Sequence, residues 1–211
     1  MPKGFTEQEK ELIRKRLIEQ GYKQFSAYGL KKTNIEDLAA AAKISKGAFY
    51  LFYDSKEALF MDAVELAEQR YRHEILAMVD RPGTSPRARL YAIFKQAFAV
   101  MRSMPILQFI TGGDFELLFR KLPAEKMQEH LAGDQAFFVE LVEHCRNAGI
   151  PVRVQPDEIG RLLYPLVMAS LHEDDLNLDD FSGNVDSLLE LIAAYCLGEV
   201  DLQYAKGGSL T

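Results

Sequence analysis

Three lysines stand where a cation is electrostatically misplaced. Lys46 and Lys56 each open a segment patterned as a helix, and Lys43 lies just outside such a position, all within 14 residues. A helix N-terminus carries partial positive charge, so an ammonium group there is unfavourable unless an anion joins it. Free backbone N–H groups make such termini phosphate sites. Hydroxyls stand nearby on Thr33, Ser45 and Tyr50. These residue types at this spacing point to contact with a phosphate backbone. Bond-making chemistry is poorly represented. His73, His130, His144 and His172 show no paired metal-ligand spacing such as H-E-x-x-H. His144 and Cys145 are adjacent and would diverge on a helix. No glycine-rich phosphate loop or G-x-S-x-G is present. No catalytic residue, metal ligand or cofactor is assigned. The run His172-Glu173-Asp174-Asp175 reads as a solvated acidic loop, with a hard-cation site as the alternative.

Charge is distributed in the same sense. The 211 residues carry a net charge of −6, but residues 1–56 hold 11 Lys/Arg against 7 Asp/Glu, and the remainder 14 against 24. A basic N-terminal quarter on an acidic body suggests that one end meets a polyanion. Hydrophobic residues at 48% and charged residues at 27% are ordinary globular usage, which argues against long-range disorder. The longest near-apolar stretch, Leu162 to Leu171, is about half of the ~20 residues a membrane helix needs. Met1 to Lys10 is polar, unlike a secretory signal. A cytoplasmic, nucleoid-associated bacterial location with no membrane partner is expected. Cys145 and Cys196 are read as buried, reduced thiols.

The positioning elements are all helical by pattern. Leu17, Gly21 and Phe25 place one apolar stripe on a helix from Gln8 to Tyr28, ended by Gly29. Gly21 inside it implies close approach of another helix. Thr33-Asn34-Ile35-Glu36 has capping-box spacing and opens a short helix over Asn34 to Ala41 or Ala42. Ala42-Lys43-Ile44 reads as a turn, and Ser45 as the N-cap of a second short helix from Lys46 to Phe52. Asp54 or Ser55 caps a longer helix from Lys56 to Val79. Further helices are expected over Arg87 to Met104, Ile106 to Phe119, Ala124 to Ala148, Asp157 to Leu171 and Asn184 to Leu197. Two short helices across a three-residue turn make a helix-turn-helix, whose second helix enters the major groove.

The run Thr33-Asn34-Ile35-Glu36-Asp37-Leu38-Ala39, continued by Lys43-Ile44-Ser45-Lys46-Gly47-Ala48-Phe49-Tyr50 and Lys56-Glu57-Ala58-Leu59, resembles the N-terminal domain of TetR-family transcriptional regulators. The likeness covers about 50 residues. It implies an all-α chain with an N-terminal three-helix helix-turn-helix domain over residues 1–55. A C-terminal helical domain for effector binding and dimerisation would follow over 56–211. Residue by residue, it implies that Thr33 caps the second helix and meets a phosphate, as Ser45 does on the third. Lys46, Gly47 and Ala48 would reach bases and backbone, with Lys43 beside them. The Tyr50 hydroxyl would meet phosphate and Lys56 would clamp one, while Phe49 and Tyr53 would lock the helices together. Three departures stand out. The family's turn glycine is Lys43, which strains a left-handed turn by ~1–2 kcal/mol or reshapes it. Tyr53 replaces a phenylalanine, a change read as benign. Leu51 and Phe52 lack the hydroxyl or imidazole that adds phosphate contacts in some members. Ala48 offers only a methyl, to a thymine methyl, so specificity would rest partly on DNA shape.

The same likeness implies a homodimer on a palindromic double-stranded operator, with the last two helices at the interface. Ile159, Leu162, Leu163, Leu166 and Val167, with Leu188, Leu189, Leu191, Ile192 and Tyr195, cover more than one face of those helices. A small hydrophobic or aromatic effector is expected among Phe94, Phe98, Met101, Phe109, Phe115, Phe119, Phe137, Phe138 and Met168. Core packing is the alternative for each of these. The reading is thus of a ligand-responsive regulator of repressor type. The rivals are an interaction or DNA-coating protein of the same shape and, more remotely, a helical enzyme.

Overall fold

The computed structural model describes residues 5–107, 118, 120–122, 124–170, 173 and 180–201. Among the described residues there are eight helices and no strand: α1 (Glu7–Lys32), α2 (Ile35–Ala41), α3 (Lys46–Phe49), α4 (Lys56–Val79), α5 (Pro86–Arg102), α6 (Ala124–Asn147), α7 (Pro156–Ser170) and α8 (Phe181–Cys196). The all-α expectation holds. Most of the helix expected over Ile106 to Phe119 lies outside the described residues, as do most of the acidic run after Leu171 and the candidate pocket residues Phe109, Phe115 and Phe119.

Local chemistry explains the ends of the first helices. α1 opens on a capping box: Glu9 N–H donates to Thr6 Oγ1 at 3.3 Å and Thr6 N–H to Glu9 Oε2 at 2.8 Å. Gly29 takes φ 76° and ψ 169°, a left-handed break where the sequence ends the helix. Gly21 is the point of close approach that its cost inside a helix implies. A Cβ there would lie 3.2 Å from Leu59 Cγ on α4. The cap of α2 corrects the sequence reading. Asn34 accepts from Asp37 N–H at 2.8 Å, whereas the Thr33 hydroxyl donates to Gly29 O at 2.8 Å and is buried. The break at Gly29 leaves a carbonyl unpaired, and Thr33 is spent on it. α3 is also shorter than expected. Beyond Phe49 the chain tightens into i→i+3 bonds, Leu51 N–H to Ala48 O at 3.1 Å and Phe52 N–H to Phe49 O at 2.9 Å.

The chain forms two compact units, Met1–Tyr71 with Arg102–Leu131, and Arg72–Met101 with Ala132–Thr211. This division differs from a boundary at 55/56. The reason is that Ala58, Leu59, Phe60 and Ala63 are buried, and Phe60 meets the Phe25 ring edge-on at 5.2 Å. The first turns of α4 therefore belong to the helix-turn-helix core, with Leu17, Phe25, Leu38 and Phe49.

Tyr53 does more in this unit than a phenylalanine would do. Its hydroxyl donates to Asp62 Oδ2 at 2.7 Å, and Lys126 Nζ reaches Asp62 Oδ1 at 3.2 Å. Burial and the Asp62 carboxylate push the tyrosine pKa well above its ordinary value. Tyr53→Phe is expected to destabilise the fold by about 1.5 kcal/mol, since a bond to a charged acceptor is lost from a buried site. Thermal unfolding should show a midpoint lower by roughly 3–6 °C.

The second unit has its own core, built from Val79, Leu90, Ile93, Phe94, Leu141, Ile150, Ile159, Val185, Leu189 and Ala193. Arg89 ties two helix ends beside it, donating to Val79 O at 2.7 Å and Ala148 O at 3.0 Å. Phe94 and Phe98 are core residues, and Phe137 and Phe138 pack against that core. Met101 and Met168 are half-buried. Ile159 and Leu189 are likewise buried in their own unit. Of the other candidate interface residues, Leu188 and Leu191 are exposed, and Leu162, Leu163, Leu166, Val167, Ile192 and Tyr195 are half-buried. Tyr164, absent from the sequence reading, is exposed as well. Cys145 and Cys196 are free, buried thiols, and burial pushes their pKa values up to about 11 and about 12. Among the described residues no helix is long and apolar enough to cross a membrane.

Candidate nucleic-acid interface

The turn between α2 and α3 keeps its left-handed geometry without a glycine. Lys43 sits at φ 62°, and Ile44 N–H donates to Ala39 O at 3.0 Å. The lysine therefore accepts strain that a glycine would avoid. Lys43→Gly is expected to raise stability by about 1 kcal/mol, the relief of strain less the greater freedom of an unfolded glycine. Chemical denaturation would measure it. A midpoint that falls would contradict the strain argument.

Ser45 caps α3 as expected, accepting from Ala48 N–H at 3.1 Å. The segment then presents a clear inside and outside. Phe49 is fully buried and Tyr53 nearly so, while Lys43, Ser45, Lys46, Gly47, Tyr50 and Leu51 are exposed. Ala48 is half-buried. Nothing in the fold demands glycine at 47, where a Cβ would meet only Ser45 Oγ at 3.9 Å. That position is therefore open to close approach from outside.

Two lysines are engaged in ways the sequence does not reveal. Lys46 Nζ pairs with Glu36 Oε1 at 2.5 Å, which holds the carboxylate below its usual range and the ammonium above its own. Both side chains are more than half exposed, so the pair adds little stability and exchanges readily for a stronger anion. Lys56 is different. Its ammonium donates to Leu30 O and Thr33 O, each at 2.7 Å, and to Lys31 O at 3.2 Å. The misfit of a cation at the start of α4 is thus relieved by the carbonyls ending α1. Burial lowers the Lys56 pKa from the ordinary lysine value, and the neighbouring Glu57 carboxylate opposes the shift. Ser55, the second of the two candidate caps, accepts from Ala58 N–H at 3.1 Å.

A cleft of about 420 Å³ lies alongside. Thr33, Lys46, Tyr50 and Lys56 line it together with Lys31, Lys32, Asn34 and Lys121, which sequence reasoning missed. The Lys31-Lys32 doublet before Thr33 was legible. Lys121 was not, because it arrives from outside the motif and pairs with the buried Glu57 at 3.0 Å.

A short helix with an exposed basic and hydroxyl-bearing face, set across a tight turn from a second helix, defines a helix-turn-helix protein. Residues 17–63 match the family of bacterial regulatory proteins, tetR family. The uncharacterized HTH-type transcriptional regulator YuxN of Bacillus subtilis is 34% identical over 84 residues, 38% of this chain and 29% of that protein. The "Probable acrEF/envCD operon repressor" of Escherichia coli K12 is 27% identical over 140 residues, 64% of this chain and 63% of its own length. The matches thus span less than two thirds of either relative. The solved structure of Thermus thermophilus FadR, a TetR-family transcriptional repressor in complex with lauroyl-CoA, superposes with a TM-score of 0.59. It does so at 21% identity, over 92% of this chain and 100% of that one. Over residues 17–63 this chain matches the tetR family, and the solved structure shares its fold.

Proposed function

We propose that this protein is a ligand-responsive transcriptional repressor that binds a palindromic operator as a homodimer. The observation that carries the reading is the outward face of the turn and α3, where Lys43, Ser45, Lys46, Gly47 and Tyr50 are all exposed while Phe49 is fully buried. Lys43 and Lys46 neutralise phosphates, the Ser45 and Tyr50 hydroxyls donate to them, and Gly47 lets the helix lie close to base edges. Thr33 and Lys56 support this face from behind, the first through its bond to Gly29 O and the second through the carbonyls ending α1. Phosphate contact by either requires breaking those bonds. Ala48 has less reach than its place in the motif implies, being half-buried.

A single helix-turn-helix reads one half-site, and two-fold symmetry supplies the other. Tyr164, Leu188 and Leu191 expose apolar surface on α7 and α8, whose opposite sides fill the core through Ile159, Leu189 and Ala193. A second copy covering that face is the reading we adopt. The effector is taken to be a small hydrophobic or aromatic molecule, held in the C-terminal part by residues such as Met101, Phe137, Phe138 and Met168, all half-buried. Repeated selection of bound fragments from random DNA with the purified protein tests the function. The expected product is an inverted repeat bound by two chains. Enrichment of no sequence, or of a site bound by one chain, would contradict it.

A further inference from the structure

We propose that Leu51 reads a thymine methyl group in the major groove and so sets sequence specificity, an inference that rests on the DNA-binding reading above. Positions 46, 47, 50 and 51 share the outer side of α3 and its last turn, and all four are exposed. Leu51 is 72% exposed, more than any other large apolar side chain among the described residues, and Tyr50 beside it is 48% exposed. A lone exposed leucine needs no explanation. This one stands on the face flanked by Lys43 and Lys46, where a polyanion is to dock.

The residues available for reading bases sharpen the point. From Lys43 to Leu51 there is no Arg, Asn or Gln, so the two lysines are the only side chains there of the types that make bidentate bonds to guanine or adenine edges. Lys43 and Lys46 are the long donors there, both assigned to phosphates above, and their hydroxyl-bearing neighbours are suited to phosphates as well. Apolar contact is what remains, and the base feature that an apolar side chain distinguishes is the thymine C5-methyl. The half-buried Ala48 offers less surface for that contact than Leu51. Leu51 lies just past the end of a helix of only four residues, so its side chain extends the apolar surface that this face can offer.

The test uses the full chain and the DNA site obtained by selection. Each thymine is replaced singly by deoxyuridine, which removes the methyl and keeps every hydrogen-bonding group. At one thymine in each half-site the wild-type protein should lose about four-fold in affinity, the worth of one buried methyl. Leu51→Ala should bind on the order of ten-fold more weakly and show no further loss at that same position. Its thermal midpoint should match the wild type, since the side chain is largely outside the fold. An equal uridine effect in both proteins, or no sensitive thymine, overturns the role of Leu51 while leaving DNA binding intact. Failure to bind any sequence selectively overturns both readings.

Discussion

A chain carrying Lys43→Ala and Lys46→Ala together is expected to bind each operator half-site roughly 60-fold more weakly near 0.1 M salt, because each lost phosphate contact forfeits about 0.9 log units of counterion release. The slope of log affinity against log salt should become shallower by about 1.8 for each bound chain, about 3.6 for the dimer. Competing effects inside the protein are small. Lys43 and Lys46 are exposed, so the variant keeps its core. Lys46 gives up Glu36 when it meets a phosphate, but a pair this exposed contributes little. Alanine is strained at φ 62° much as lysine is, so the turn neither gains nor loses shape. Binding measured by fluorescence anisotropy across a salt series separates the two quantities. An unchanged slope would remove these lysines from the interface.

The second large effect concerns folding. Lys56→Met should destabilise the protein by about 2–3 kcal/mol, because three carbonyls at the end of α1 lose a charged donor while the apolar stem is kept. The thermal midpoint should drop by roughly 5–10 °C. Operator affinity, measured well below that midpoint, should change less than in the double lysine variant. This contrast separates two roles that sequence alone cannot distinguish. Unaltered stability with a ten-fold weaker, less salt-sensitive complex would make Lys56 a phosphate clamp instead of a tie between α1 and α4.

The features that were legible in the sequence are those decided by neighbours along the chain. Ser45 caps α3, Gly29 breaks α1 and Gly21 admits α4, each following from residue type and local spacing. Thr33 shows the limit of a local pattern. Thr33 and Asn34 are adjacent capping residues, and only the kink at Gly29 decides which hydroxyl or amide is free to cap. The capping box that does form, Thr6 with Glu9, has the same spacing. The acceptors of Lys56 lie 23 to 26 residues earlier, so no helix rule could find them. Tyr53 was illegible for a related reason, since its partner Asp62 lies on the next helix and is shared with Lys126. The exposure of Leu51 was within reach, because helical spacing places it beside Gly47. Aromatic stripes could not be apportioned at all: Phe94 and Phe98 proved to be core, and nothing in their spacing separates core from pocket lining.

Hydrogen exchange of the full chain with and without its selected DNA site tests the central claim most directly. Amides from Lys43 to Leu51 should slow on DNA addition, together with those of Lys31 to Asn34 beside the cleft. The Lys43→Ala, Lys46→Ala variant should need far more DNA for the same protection. Protection confined to α7 and α8, or none between Lys31 and Leu51, would contradict the assignment of this face to DNA.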